Sequence, residues 1–132
     1  LVKKIISADG TLLHETKPHL LQDFSENFKD SLPEVWKGMK DVVAQPYGTA
    51  SYLADLPIGV AGKTGTAQVA AKSRINAFFV GYAPLNDPQI TILVLIENAL
   101  EDELNAVPVA NDVFEWYYTN RIMRTETTNA SE

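Results

Sequence analysis

Between Ile58 and Glu97 the chain carries three extended segments joined by connections too short to hold a helix. Residues 58–70 (IGVAGKTGTAQVA), 74–83 (RINAFFVGYA) and 89–97 (QITILVLIE) are separated only by AKS and by the turn cluster PLNDP. A parallel pair needs a crossover of a dozen or more residues, so these strands predict an antiparallel meander. The third is nearly continuous in β-branched and apolar residues, the pattern of a strand buried on both faces.

Helical patterns flank the meander. In SLPEVWKGMKDVVA, Ser31 precedes Glu34 by three, as in a capping box, and Pro33 suits a first turn. Leu32, Val35, Trp36, Met39, Val42 and Val43 then recur at helical spacing, predicting a helix over 32–44. Residues 45–57, with Pro and Gly, read as a connection. A second helix is predicted over 105–121, with Pro108 in its first turn and a stripe of Val109, Val113, Trp116 and Tyr117. Both tryptophans read as core anchors. The order helix, three strands, helix defines an α+β layer with the last helix packed on the sheet.

The ends are less regular. Residues 1–16 hold two short apolar stretches around Asp9-Gly10, a hairpin or looped extended segment. Residues 17–30 read as an irregular surface loop, Glu101–Glu103 as a solvated one, and 122–132 as a polar, disordered tail.

Composition excludes several functions. With 132 residues there is enough chain for one domain with a real core. A net charge of −6 argues against nucleic acid and against a basic membrane-surface patch. Without Cys there is neither a disulfide nor a thiolate site. No apolar run is long enough to span a bilayer. The first residue is Leu1 rather than Met, which predicts part of a longer product with any anchor upstream.

The segment 59–70 is a poor packing strand, because it mixes Gly, Thr and one Lys. On a flat strand Lys63 and Thr64 point to opposite faces, so they serve one site only at a sheet edge. Gly62 and Gly65 then remove side chains that would block a ligand. Lys63 supplies positive charge, Thr64 and Thr66 supply hydroxyls for a carboxylate, and a backbone N–H can face a developing oxyanion. An extended ligand can add to such an edge through main-chain hydrogen bonds. The plainer alternative is a small-residue strand against a close-packed helix, with Lys63 reaching out to solvent.

The string AGKTGTAQ resembles the third active-site motif of class B penicillin-binding proteins, the monofunctional transpeptidases. GMKDVVAQPYGTA, NAFFVGYAP, ITILVLIEN and PVANDVFEWYY are similar to the segments around that motif, and KPHLL to an element of the elongation-type penicillin-binding protein 2 group. The resemblance covers 1–121, read as the C-terminal part of a transpeptidase domain with a penicillin-binding/β-lactamase-like fold. It implies acyl transfer from the D-Ala–D-Ala end of a peptidoglycan stem peptide through a Ser nucleophile, with β-lactams as donor mimics. Lys63 would be catalytic, moving protons and attracting the substrate carboxylate. Thr64, Gly65 and Thr66 would bind substrate, the Thr66 N–H forming half of the oxyanion hole. It further implies the periplasmic side of the inner membrane, partners in the cell-elongation machinery, and no cofactor.

The chain departs from that pattern in one respect. No Ser is followed three positions on by Lys, so the nucleophile and its Lys lie outside this sequence and the chain alone is expected to be inactive. Ser25-Glu26-Asn27 fits the second motif, S-x-N, but stands too close to Lys63 and reads as polar loop. His14, Glu15, His19 and Asp23 match no ligand spacing, so no metal is implied. Asn129 opens a glycosylation sequon without meaning for a bacterial protein. Two other readings are a non-catalytic module binding peptide or β-lactam, and a β-lactamase or sensor relative. In the family's sheet a further strand pairs with 89–97, so self-association through that edge is also expected.

Overall fold

A computed structural model of the chain describes residues 2–69, 73–100 and 105–124, in two units, 1–31 and 32–132. Glu101–Glu103 and Asn129 lie outside the described residues.

In the first unit β1 (Lys4–Ile6) and β2 (Leu12–Glu15) form an antiparallel hairpin, the first of the two forms allowed by the sequence. The turn closes because Gly10 takes a positive φ of 89°. Ser7 N–H donates to the Thr11 carbonyl at 2.9 Å, while the Asp9 carboxylate accepts from the Ser7 hydroxyl and from Thr11 N–H. The predicted loop 17–30 is not wholly irregular. Asp23 accepts from Ser25 N–H at 2.8 Å and starts a single helical turn, α1 (Ser25–Phe28). The S-x-N triplet lies on this exposed turn. Ser31 donates its hydroxyl to the Phe28 carbonyl at 3.3 Å.

The second unit begins with α2 (Leu32–Ala44), as predicted. A short 3-10 turn (Ser51–Leu53) follows, then β3 (Ala61–Gln68), β4 (Arg74–Ala83) and β5 (Ile90–Leu100). The strands form the antiparallel meander in the order β3-β4-β5. Helix α3 (Ala106–Tyr117) continues through a π-helical turn to Ile122, and helical backbone reaches Arg124. The stretch 122–132 therefore opens helical, and 125–132 lie outside the described residues.

One face of the sheet carries the core. Phe79, Ala77 and Ile75 on β4 alternate inward and pack with Phe114, Ala110 and Val107 of α3. Ala110 lets the helix approach closely, and Phe114 and Phe79 are both fully buried. The buried face of α3 is thus Ala106, Val107, Ala110 and Phe114, rotated from the predicted stripe. Of that stripe only Tyr117 joins the core margin; Val109, Val113 and Trp116 are exposed.

Two further expectations change. Trp36 and Trp116 are 52% and 56% exposed and anchor no core. Strand β5 is covered on one face only: Ile92, Val94 and Ile96 pack on the core, while Leu93 and Leu95 remain 68% and 44% exposed. Apolar content told of a strand but not of its second face, because that face has no covering layer among the described residues. No helix among those residues is long and apolar enough to cross a membrane.

Candidate active site

Strand β3 is an edge strand, the condition under which Lys63 and Thr64 can serve one site. Its free margin can be derived from one hydrogen bond. Val69 N–H donates to the Arg74 carbonyl at 3.2 Å, and the β3–β4 register runs unbroken from Ala61↔Tyr82 to Gln68↔Ile75. In an antiparallel ladder, residues alternate between exchanging both bonds with the partner and turning both groups away. Residues 63, 65 and 67 therefore bond β4, while Thr64 and Thr66 turn their N–H and C=O to the open margin. The Thr64 carbonyl accepts from Lys63 Nζ at 2.6 Å, as an outward-facing carbonyl can.

The side chains divide between two clefts. Thr64 stands opposite buried Phe79, so Thr64 and Thr66 lie on the core side of β3, in an open cleft of about 190 Å³ completed by Asn105 and Val107. Lys63 is exposed on the other side, in a cleft of about 410 Å³ with Asp41, Tyr47 and Gly48. Thr49 lines both clefts, and its Oγ1 lies 2.7 Å from Thr64 Oγ1.

The predicted glycine roles separate. Gly65 lines the Thr64 cleft, and a Cβ there would meet the Phe78 side chain, nearest at its Cβ at 3.3 Å. Gly62 is buried instead, and its Cβ would lie 2.5 Å from the Phe79 ring. It makes room for the core, not for a ligand, because position 62 falls on the same side of the sheet as Phe79.

Sequence reasoning missed Thr49, which lay in a stretch read as a connection. The signal was present as a hydroxyl residue directly after a glycine in QPYGTA. Among the described residues no three of His, Cys, Asp or Glu come together as a metal group; His14 Nε2 instead lies 3.5 Å from Thr16 Oγ1.

The chain is an α+β layer with an open, Gly- and Thr-rich edge strand. The penicillin binding protein transpeptidase domain family matches residues 1–115, and the chain belongs to that family. It is 34% identical over 108 residues to the peptidoglycan D,D-transpeptidase MrdA of Haemophilus influenzae, covering 70% of this chain and 17% of that protein. The solved D,D-transpeptidase domain of a peptidoglycan glycosyltransferase from Eggerthella lenta matches with a TM-score of 0.69 and 26% identity, over 91% of this chain and 27% of that one. Pseudomonas aeruginosa PBP2, solved in complex with WCK 5153, matches with a TM-score of 0.62 and 33% identity, over 86% of this chain and 24% of that one. The chain spans less than a fifth of the curated relative and about a quarter of each solved chain.

Proposed function

We propose that this chain supplies the donor-binding wall of a peptidoglycan D,D-transpeptidase that is a target of β-lactams. The observation that carries this reading is the open margin of β3, which presents the outward main-chain groups of Thr64 and Thr66 between the Thr64 hydroxyl on one side and Lys63 on the other. A stem peptide ending in D-Ala–D-Ala lies along that margin as an added strand. Lys63 attracts its terminal carboxylate, and the Thr64 and Thr66 hydroxyls donate to the carboxylate oxygens.

The reaction is acyl transfer. A Ser Oγ attacks the carbonyl carbon of the penultimate D-Ala, and the developing oxyanion faces the Thr66 N–H. The D-Ala leaves with a proton as its amine, and the amine of a neighbouring stem then displaces the Ser ester. Lys63 assists proton movement and holds the donor. The Ser comes from sequence outside these residues, since no Ser-x-x-Lys occurs among them. The relatives' activity supports a place on the periplasmic side of the inner membrane, with the elongation machinery as partner.

A fluorescent penicillin tests the reading. The chain alone takes no covalent label; joined to the Ser-x-x-Lys region of its own protein, it does. Lys63→Ala then lowers the labelling rate by about 100-fold. Labelling of the isolated chain, or undiminished labelling of Lys63→Ala, overturns the proposal. Non-covalent, Lys63-dependent affinity without acylation in the joined protein would favour a binding module instead. Chains lacking the rest of the domain self-associate through the open edge of β5, which sedimentation at increasing concentration measures.

A further inference from the structure

We infer that Thr49 is a positioning residue for the carboxylate-binding hydroxyl of Thr64; the inference rests on the transpeptidase reading of β3. The loop after α2 is built to hold residue 49 in one place. Gly48 N–H donates to the Gln45 carbonyl at 2.9 Å, and Ala50 N–H to the Val42 carbonyl at 3.1 Å. Gly48 lies so close to the end of α2 that a Cβ there would sit 2.2 Å from the Val42 carbonyl oxygen. Ala50 on the other side is fully buried. Residue 49 is clamped between a glycine that admits no side chain and a buried alanine, with its own side chain exposed.

From that position Thr49 Oγ1 meets Thr64 Oγ1 at 2.7 Å, fifteen residues away in sequence. Each hydroxyl has one proton and two lone pairs. Either hydroxyl can donate; with Thr49 as the donor, its proton occupies one Thr64 lone pair, and the Thr64 proton is turned away from Thr49 and left for a bound anion. Exposed hydroxyls bond water nearly as well as each other, so the pair contributes little to stability. Its value lies in orientation. Thr49 also borders the Lys63 cleft, so this residue sits where the positive charge and the hydroxyls of β3 must converge on one carboxylate.

The test compares Thr49→Val and Thr49→Ser in the intact transpeptidase that carries this chain. Valine keeps the shape and removes the hydroxyl. Thr49→Val is expected to raise KM for a D-Ala–D-Ala donor about fivefold to tenfold, with kcat and thermal midpoint unchanged. Acylation by a penicillin with a free carboxylate slows by the same factor, whereas a C-terminal carboxamide donor, already poor, is no worse in the variant. Thr49→Ser restores the wild-type values. Wild-type KM in Thr49→Val, an equal loss in Thr49→Ser, or an equal loss for the carboxamide donor overturns the inference. Thr64→Val separates the two levels of the argument. If Thr64→Val is also silent, the carboxylate reading of β3 fails; if it raises KM while Thr49→Val does not, only the role of Thr49 fails.

Discussion

Gly62 and Gly81 stand opposite each other across the β3–β4 ladder, and the Phe79 ring fills the space where either would carry a Cβ. The contacts would be 2.5 Å from position 62 and 2.7 Å from position 81, with backbone carbonyls within 2.9 Å behind. A Cβ at either position forces the buried ring or the ladder to shift. Gly62→Ala and Gly81→Ala are each expected to destabilise by about 1–3 kcal/mol. Gly38, inside α2 with nothing within 4 Å of its Cβ position, is the control. Gly38→Ala should stabilise by about 0.5–1 kcal/mol in the same urea titration.

The rotated face of α3 gives a second prediction. Phe114 is fully buried, so Phe114→Ala should cost about 3–5 kcal/mol. Trp116, two positions on and half exposed, should cost far less on truncation despite its larger ring. Acrylamide should quench both Trp36 and Trp116 in the folded protein. Quenching protected to the level of a buried indole would contradict the exposed placement.

Gly48→Ala should behave differently from any change at Thr49. Its Cβ would collide with the Val42 carbonyl, so the loop must leave the end of α2 and carry Thr49 away from Thr64. Stability and donor affinity should therefore fall together, read by thermal unfolding and by KM. A loss in only one of them would mean the loop does not link the two.

The hairpin unit predicts a pH response. Asp9 is held below the ordinary aspartate range, first by the Ser7 hydroxyl and then by Thr11 N–H; Asp23 is held down chiefly by Ser25 N–H. A lowered folded value means that the charged form is favoured by folding. The contribution is fully present above the unfolded value of about 3.9, and is lost as pH falls through the folded value. Thr11 and Ser25 amide protection, corrected for intrinsic exchange, should hold from neutral pH down to about 5 and decline below about 4. Asp9→Asn should flatten the Thr11 response alone.

Much of this could be read from residue order. Short connections dictated the meander, and Gly, Lys and Thr on β3 marked a strand meant to be approached. What stayed hidden depends on contacts distant in sequence. The reason for Gly62 appears only when the register sets it beside Phe79. The α3 stripe misled because valines and a tryptophan outweigh alanines in hydrophobicity, whereas the sheet selected the face with small residues that allows close approach. Thr49 was invisible as a partner because nothing local ties it to residue 64.

The uncovered side of the sheet, with Val80, Leu93 and Leu95 exposed, has a colloidal consequence. Such a surface attracts only on contact, whereas the net charge of −6 repels at a distance. The reach of that repulsion shrinks from about 10 Å at 0.1 M salt to about 3 Å at 1 M. Dissolved chains should therefore cluster as ionic strength rises, and also as pH approaches the isoelectric point near 4.8. Low salt and mildly alkaline buffer keep the molecules apart, and light scattering against salt concentration reads out how much of that apolar face is left open.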